Sequence, residues 1–374
     1  MSDNIPFELQ AEIIKRILPV KSLLRFRSVS KQWKSLIDSS EFITHHALNN
    51  KTQPQHLLVR YITGGTEDKY VSIVDDDNFP HHKFSPVVPP TVKLHPLPFM
   101  LDCSHGLVCL HGWTRDRVNR KKLVVVWNPL IGKSVGIEIP DPDRAYIVIG
   151  FGVCPKTSDP KIIKLSRFFD SKAEAKAEVF RLSSGAWRSV PMNIPFKSLH
   201  FQNSQVVIDG VIHWLTYDKI TYKLRLYSFD LASEKFGEAV DFPHNLAGGS
   251  GRKYGISKIN DSLVVLSHHW VVTNLTPKPF CDVWMMLKNG VSKPSFTKLF
   301  TVNDVEVDSM IGFRKNGQPI VDRTKTGGYD VELEVYELYS ERINGLGIYG
   351  SAFMMTSYKE SLLLLNHSDS IIHS

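Results

Sequence analysis

Three short patterns contain the residues that could do chemistry, and none of them completes a recognised site. Residues 248–253 read Gly-Gly-Ser-Gly-Arg-Lys, but no Ser or Thr follows and no helical pattern begins there, as a phosphate-binding loop requires. His268 and His269 are adjacent, and neighbouring side chains of a strand point to opposite faces, so they make a poor pair of metal ligands. Residues 75–77 are three aspartates without the spaced oxygens of a calcium loop. Because no motif assembles a nucleophile, a base and an orienting residue, we expect no catalytic centre, no metal and no cofactor.

Composition places the chain among large globular proteins. Its 374 residues are 42% hydrophobic and 10% aromatic, which is ample for a sizeable core. No run approaches the roughly 18 apolar residues of a membrane span, and early polar residues argue against a signal peptide. The four cysteines are scattered and lack metal-site spacing: Cys103, Cys109, Cys154 and Cys281. We therefore expect an intracellular protein without membrane contact, in the reducing cytoplasm, the nucleus or both.

The first fifty residues predict three short helices. Pro6 suits the start of a helix, and Leu9 and Ile13 begin an apolar stripe with a spacing of four residues. Pro19 ends this helix, and Ser30 can cap the third. The other two helices carry further apolar residues: Leu23, Leu24, Phe26, Trp33, Leu36 and Ile37. A segment this short buries little core by itself, so its apolar surface needs the rest of the chain or a partner.

This segment resembles a known domain. Residues 18–27 read Leu-Pro-Val-Lys-Ser-Leu-Leu-Arg-Phe-Arg, and Val29-Ser30-Lys31 and Trp33 follow. In this order the residues resemble the plant form of the F-box over roughly residues 4–46, with Ile5-Pro6 in place of the usual Leu-Pro opening. The resemblance implies docking onto the Skp-type adaptor of a cullin-RING ubiquitin ligase. The alternative is a three-helix cap that only covers one end of the following domain.

The same resemblance implies an adaptor-binding surface that agrees with the apolar pattern. Its expected residues are Ile5, Pro6, Leu9, Ile13, Leu18, Pro19, Val20 and Leu23. Trp33 and Ile37 are expected to form the small internal core instead. Seven Lys or Arg and no Asp or Glu lie between Ile13 and Ile37, which suits a solvated face, a nucleic-acid site or steering toward an acidic protein. Since Skp-type adaptors are acidic, the resemblance favours steering, and we do not expect nucleic acid as a partner.

A period of about fifty residues follows a polar linker at residues 47–56. Short apolar strands alternate with turn residues, and one set carries evenly spaced anchors at Ile73, Trp127, Phe180, Phe229, Trp284 and Tyr336. A second set of strands includes residues 106–110, 162–165, 210–214, 262–266, 317–320 and the leucine run 362–365. This period is kelch-like, and six repeats suit a β-propeller with one four-stranded sheet per blade. The alternative is a pair of β-sandwiches with accidental spacing.

The strand markers also resemble the plant F-box-associated domain over most of residues 100–340. Matching segments include residues 104–110, 127–129, 183–187, 210–215 and 228–236. The usual kelch glycine doublets are not in step, so membership of the strict kelch family is not predicted. The expected fold is mainly β. It has a three-helix F-box at 1–46, the linker at 47–56, a kelch-like propeller of about six blades at 57–366 and a tail at 367–374.

Three segments that interrupt the strand rhythm are candidates for target recognition. They are the Pro-rich residues 79–100, the Gly-rich residues 241–254 and residues 268–280, although each could equally be variable surface. The selected target-binding residues are Phe99, His268, His269 and Trp270.

Together these features predict a non-catalytic substrate-recognition subunit of a Skp-cullin-F-box ubiquitin ligase. Its partners would be the Skp-type adaptor, the cullin-RING core and an unidentified target protein. The alternatives are a kelch-like propeller enzyme, such as a metal-containing oxidase, and a scaffold protein outside any ligase.

Overall fold

The chain folds as a small helical head followed by a large β domain. This computed structural model describes residues 5–17, 19–48, 53–94, 98–114, 116, 121–140, 145–168, 175–243, 246, 252–273, 276–287, 294–303, 307–324, 331–340 and 342–373. The fold is mainly β with helices concentrated at the N-terminus, which confirms the predicted class.

The described part of the head contains four helices, one more than predicted. They are α1 (Phe7–Lys15), α2 (Val20–Phe26), α3 (Lys31–Ile37) and α4 (Ser40–Leu48). The predicted cap of α3 is confirmed, because the Ser30 side chain accepts a hydrogen bond from the Trp33 N–H. The sequence did not predict α4, since its β-branched residues, histidines and serine are weak helix formers. Its buried residues, which include Phe42 and Ile43, show that tertiary packing stabilises it.

In the described part of the chain, the β domain consists mainly of strands and also contains the short helix α5 (Pro90–Lys93). The strands are β1 (Gln55–Thr63), β2 (Glu67–Val74), β3 (Lys83–Phe84), β4 (Phe99–Ser104), β5 (Leu107–Trp113), β6 (Lys122–Asn128), β7 (Lys133–Glu138), β8 (Ala145–Val153), β9 (Pro160–Phe168), β10 (Lys176–Arg181), β11 (Ala186–Val190), β12 (Leu199–Ile208), β13 (Val211–Asp218), β14 (Leu224–Asp230), β15 (Lys235–Phe236), β16 (Val240–Asp241), β17 (Lys253–Ile259), β18 (Ser262–Thr273), β19 (Thr276–Leu287), β20 (Ser295–Val302), β21 (Val307–Phe313), β22 (Pro319–Thr324), β23 (Val331–Tyr336), β24 (Ile343–Lys359) and β25 (Ser370–Ile372).

Strand pairing gives five sheets among the described residues, four of which follow chain order. These four are built from β4–β7 with β25, from β8–β11, from β12–β16 and from β17–β20. The fifth has the order β21-β22-β23-β24-β1-β2-β3 and divides at β24, where residues 343–350 pair with β23 and residues 351–359 pair with β1. An N-terminal strand thus pairs with a C-terminal strand, which removes two exposed edges. The number of about six blades stays a prediction.

The periodic anchors occupy equivalent places in these sheets. They lie in β2, β6, β10, β14, β19 and β23, and all six side chains are buried. The second set of predicted strands corresponds to β5, β9, β13, β18 and β22, one strand nearer the centre in each group. Its last member was wrong, because residues 362–365 form a turn and the equivalent place is taken by β1. The period fails near the C-terminus because β1, from the N-terminal part of the chain, supplies the equivalent strand.

Six strands surround the centre of the β domain. Neighbouring contacts join β24, β4, β8, β12, β17 and β21 in a closed series. These are the inner strands of their groups, and their side chains therefore line the central space.

The head packs against the segment that follows β24, residues 360–366, which we call the junction segment. Its four leucines are buried in one core with residues of all four helices, among them Ile14, Leu23, Ile37 and Phe42. A carboxylate oxygen of Glu360 accepts a hydrogen bond from the Val20 N–H at 2.8 Å. The side-chain amide of Asn366 donates to the Asp38 carbonyl. The head is therefore part of a continuous core.

Close packing beside the junction segment requires a glycine. Gly106 has a positive φ of 80°, and a Cβ atom there would lie 2.5 Å from the Lys359 carbonyl oxygen. The described part of the predicted tail contains a strand, because β25 pairs in parallel with residues 135–137 of β7. The Asp369 carboxylate accepts the Ser134 N–H at 2.9 Å and holds this strand in register.

Candidate functional site

The outer face of α1 leaves predicted adaptor-binding residues open to solvent. Ile5, Leu9 and Ile13 are spaced by four residues and are 44%, 57% and 55% exposed. Pro6 is the exposed N-cap of the same helix, while Ala11 and Ile14 on its other face are buried. Such exposed apolar side chains in a row are typical of a surface that another protein covers.

The predicted adaptor-binding residues on α2 are not part of the exposed surface. Val20 and Leu23 are fully buried at 0% exposure, against the leucines of the junction segment. Assigning these two side chains to a partner surface is therefore corrected, because the chain itself covers them. Pro19 is exposed, and Leu18 lies outside the described residues. Ile37 is buried and Trp33 packs beside it, so both belong to the internal core.

The head also presents positive charge. Arg27 and Lys34 pair with Asp38, and these cations hold the pKa of that carboxyl below its usual range although burial opposes the shift. Four further basic residues of the run are exposed and make no ion pair with the described residues: Arg16, Lys21, Arg25 and Lys31. The uncompensated charge of these residues suits an acidic partner.

The β domain contains a central cavity of about 470 Å³. Inner strands β4, β12, β17, β21 and β24 form its wall. Phe99, at the start of β4, lies on its rim, whereas Gly106, just past the other end of β4, contacts the junction segment. The cavity mouth and the head therefore lie toward opposite ends of the same strand.

The predicted target-binding residues lie around this cavity and a second one beside it. Phe99 is 45% exposed and stacks on His111 with ring centroids 5.5 Å apart. His268 lines both cavities, and His269 and Trp270 line the second, which measures about 240 Å³. Trp270 is 64% exposed. The structure thus brings the four residues to one end of the domain.

The second cavity has little capacity for nucleophilic chemistry. Its Cys281 Sγ lies 3.7 Å from His268 Nε2, which resembles the contact of a catalytic pair. Burial, however, raises the pKa of the Cys281 thiol to about 12 and lowers the pKa of His268 below its usual value. At neutral pH the thiol stays protonated and unreactive. His269 stacks on Phe280 at 5.6 Å, so this cavity offers aromatic surface.

All three predicted loops contain regular structure, and residues 241–254 include the end of β16 and the start of β17. The loop prediction for residues 268–280 is corrected, because most of them are the paired ends of β18 and β19, and the prolines at 277 and 279 lie within β19. Residues 79–100 contain β3, α5 and the start of β4 rather than an extended loop throughout. Of residues 241–254, the glycine run lies outside the described residues. Because Lys253 pairs with His268, the described ends of these segments meet at the cavity end.

A polar network crosses the central cavity at Asp102. One carboxylate oxygen accepts the Cys103 N–H at 2.7 Å and the Thr356 hydroxyl at 3.0 Å, and the other accepts the Val207 N–H at 2.9 Å. Lys258 Nζ lies farther away, 3.4 Å from Asp102 Oδ1 and 3.5 Å from the Cys103 carbonyl oxygen. Burial lowers the pKa of Lys258, but Asp102 outweighs it and the net pKa is raised.

Sequence reasoning missed Asp102, Lys258 and the methionines of this cavity. These residues lie on four inner strands, β4, β17, β21 and β24, which come from separate parts of the chain. A usable signal was present, because an inner strand precedes most anchor-bearing strands by two places, as β4 precedes β6. The period located the anchors, and following it inward would have located the cavity wall.

Two features of the structure bear on metal binding and membrane insertion. Within the described ranges, no group of three His, Cys, Asp or Glu side chains is arranged to hold a metal ion. No described helix is long and apolar enough to cross a membrane.

Both parts of the chain match known protein families. Residues 2–45 match the F-box domain, and residues 100–338 match the F-box associated beta propeller domain. These ranges coincide with the head and with most of the β domain.

Similar proteins occur in Arabidopsis thaliana. The chain is 29% identical over 252 residues to F-box protein At2g21930, a match that covers 63% of this chain and 60% of that protein. It is 27% identical over 326 residues to F-box protein CPR1, covering 80% of this chain and 73% of that protein. The chain therefore spans less than two thirds of the first of these relatives.

Among solved structures, the chain is similar to the beta-propeller domain of the Trilobed protease from Pyrococcus furiosus. The identity is 15%, the TM-score is 0.38, and the match covers 66% of this chain and 71% of that one. A TM-score this low supports no argument about the present chain.

Proposed function

We propose a receptor function for this chain, which belongs to the proteins that combine an F-box with an F-box associated beta propeller domain. At the level of the family, this combination supports substrate recognition for Skp-cullin-F-box ubiquitin ligases. For this chain the proposal is more specific. The head binds a Skp-type adaptor, the β domain binds a target protein at the cavity end, and the chain itself performs no covalent step.

The observation that carries the proposal is the separation of two exposed surfaces. The apolar stripe of α1 belongs to the head, and the head packs near the Gly106 end of β4. The cavity rim begins at Phe99, the other end of that strand. One partner can therefore bind at each end without competing for the same residues.

Such a receptor acts by proximity. A target held at the cavity end gains a high effective concentration near the conjugating enzyme that the ligase core carries. The shared core between the head and the junction segment makes this geometry reproducible, because a rigid connection fixes the distance from target to enzyme. A flexible tether would lower that effective concentration.

For the adaptor, the proposed contacts are the exposed residues Ile5, Pro6, Leu9 and Ile13, with the basic run steering the encounter. For the target, they are Phe99, His268, His269 and Trp270. Trp270 is the most exposed of these, and tryptophan is enriched among the residues that dominate binding energy. We place the complex in the cytoplasm, the nucleus or both.

The test is reconstitution of the full chain with a Skp-type adaptor and a cullin. We expect a stable complex that ubiquitylates the chain itself, and loss of that complex when Pro6 and Leu9 are both replaced by alanine. Failure of the folded wild-type chain to bind any Skp-type adaptor would refute the receptor proposal and favour a scaffold. The enzyme alternative predicts stoichiometric metal, which elemental analysis of the pure protein detects.

Target capture needs a variant that binds its target without passing it to the ligase. Deleting the head is a poor choice, because deletion would expose the junction leucines that the head buries. The Pro6→Ala, Leu9→Ala double variant keeps this core and is the better bait for proximity labelling. Trp270→Ala in the same background is the matched control and should lose the captured targets.

A further inference from the structure

The central cavity has the size and the wall of a small-molecule site. Its volume of about 470 Å³ falls within the range of ligand pockets in proteins, about 300–1,000 Å³. Four of the eight methionines of the chain line it: Met100, Met310, Met354 and Met355. Methionine side chains adapt to irregular apolar shapes and make favourable contacts with aromatic rings. Tyr254, Phe313 and Phe353 add aromatic surface. This wall suits a planar or branched apolar group.

The charged groups of Asp102 and Lys258 in the cavity wall differ in how well their hydrogen-bonding capacity is used. The Asp102 carboxylate already accepts three short hydrogen bonds, at 2.7, 2.9 and 3.0 Å. The Lys258 ammonium has three N–H donors, but its two contacts of 3.4 and 3.5 Å exceed the usual 2.7–3.2 Å range for such bonds. Among the described residues, Lys258 is therefore a cation with unused donor capacity.

Lys258 is also the sole Lys or Arg among the described residues that line this cavity. His268, the other basic residue of the wall, is held neutral because burial lowers its pKa. An anionic group entering the cavity thus has one place where its charge is matched. Hydrogen bonds to a charged partner are stronger than neutral ones, so this contact would select for an acid.

We propose that the central cavity binds an apolar carboxylic acid, with its carboxylate on Lys258 and its apolar body among the methionines and aromatic rings. This chemistry has two sources, a free small acid and the C-terminal residue of a polypeptide. The proposal goes beyond the receptor function and holds whether or not the chain joins a ligase.

The test compares two fluorescent probes that differ in one charged group. 8-Anilinonaphthalene-1-sulfonate carries an anion, and N-phenyl-1-naphthylamine has the same rings without it. We expect one bound anionic probe per chain, and about tenfold or more weaker binding in Lys258→Met with little change for the neutral probe. Lys235→Met, which removes an exposed lysine of β15, should bind both probes as wild type. Equal binding of the anionic probe by wild type and Lys258→Met would overturn the proposal.

A second variant keeps the test decisive if Lys258→Met does not fold. Gly255 lies in the cavity wall, and a Cβ atom added there meets only Leu266, at an ordinary 3.9 Å. Gly255→Val should therefore fill part of the cavity, leave the Lys258–Asp102 pair intact and weaken both probes. Unchanged binding in this variant, or binding that is lost in Trp270→Ala, would place the probe elsewhere and refute the assignment.

Competition identifies the natural source. We expect 2-naphthoate to displace the anionic probe at a concentration about tenfold or more lower than 2-naphthalenemethanol, a difference that should vanish in Lys258→Met. The peptide Gly-Gly-Phe is then compared with its C-terminal amide. Displacement by the free peptide and not by the amide assigns a polypeptide C-terminus, and displacement by naphthoate without the peptide assigns a free acid. Failure of every carboxylate to displace the probe would contradict the proposal.

Discussion

Helices α1 and α2 lie next to each other in the chain and carry the same kind of apolar stripe, but they use it differently. Leu9 and Ile13 of α1 are more than half exposed, at 57% and 55%. Val20 and Leu23 of α2 are at 0%, because leucines from the far end of the chain cover them. The first stripe is free for a partner, and the second has an internal one. A helical period therefore identifies an apolar face without identifying what covers it.

The largest expected effect separates the two stripes by stability. Replacing Leu23 by alanine should lower the free energy of unfolding by about 2–5 kcal/mol, the cost of a cavity at a fully buried leucine. Replacing Leu9 by alanine should change it by less than about 0.5 kcal/mol, since that side chain is mostly solvated. Urea denaturation of the full chain measures both. Equal losses would mean that α1 is covered within the free protein and that the comparison is wrong.

The second effect probes the buried side of the junction through pH. His56 of β1 stacks on Tyr358 with ring centroids 5.0 Å apart, and its Nε2 lies 3.8 Å from Glu360 Oε1. Neither ring nitrogen of His56 has a hydrogen-bond partner among the described residues. Burial, assisted by nearby Lys21 and opposed by Asp76, lowers the pKa of His56 from 6.5 to about 4. The unfolded chain therefore binds more protons between these values.

Because of this difference, the His56 contribution to stability should be complete above pH 6.5 and should decrease as the pH falls toward 4. The loss should reach up to about 3 kcal/mol at the low end. His56→Gln removes the titration, and its stability should fall less steeply than that of wild type over this range. Parallel pH profiles of the two proteins would show that His56 is solvated and that the junction is looser than the contacts indicate.

The third effect sharpens the exposed side of the comparison. Replacing both Pro6 and Leu9 by alanine should weaken binding to a Skp-type adaptor by about 2 kcal/mol, or roughly thirtyfold, as for interface anchors. Calorimetry or surface plasmon resonance measures this change. Val29→Ala is the matched control, because Val29 is an exposed apolar residue of the same head, at 62%, outside the α1 stripe. Normal adaptor binding by the double variant would move the interface to another face.

The fold was predictable wherever a pattern is local. The alternation of apolar and turn residues predicted the anchor-bearing strands, and Ser30 predicted the start of α3. Two of the failures share one cause, which is partnership between distant segments. Residues 362–365 have the composition of a strand but pack as a turn on the head, and residues 370–372 pair with β7 although nothing nearby indicates a strand.

The two candidate sites show the same difference between local patterns and contacts of distant segments. Exposure of Ile5, Leu9 and Ile13 agrees with their helical spacing, whereas the burial of Val20 could not be predicted without the junction segment. The cavity that joins Asp102 to Lys258 depends on how strands from separate repeats converge. Residue types indicated no chemistry there, because one aspartate and one lysine, separated by more than a hundred and fifty positions, form no motif.

The smallest effect tests how the two halves are joined at the start of α2. This helix begins after Pro19, which offers no side-chain hydrogen bond to the free backbone N–H groups. Glu360 supplies the missing acceptor from the β domain, at 2.8 Å from the Val20 nitrogen. Its negative charge also interacts favourably with the positive end of the helix dipole.

Replacing Glu360 by alanine should therefore lower the free energy of unfolding by about 1 kcal/mol, the usual value of a lost helix cap. Glu360→Gln keeps an acceptor oxygen and loses only the charge, so about half of that loss is expected. Urea denaturation of the three proteins gives the order wild type, glutamine variant, alanine variant. The α1 stripe lies away from this contact, so adaptor affinity should stay the same in both variants. An alanine variant as stable as wild type would mean that water caps α2 equally well and that apolar packing alone joins the head to the β domain.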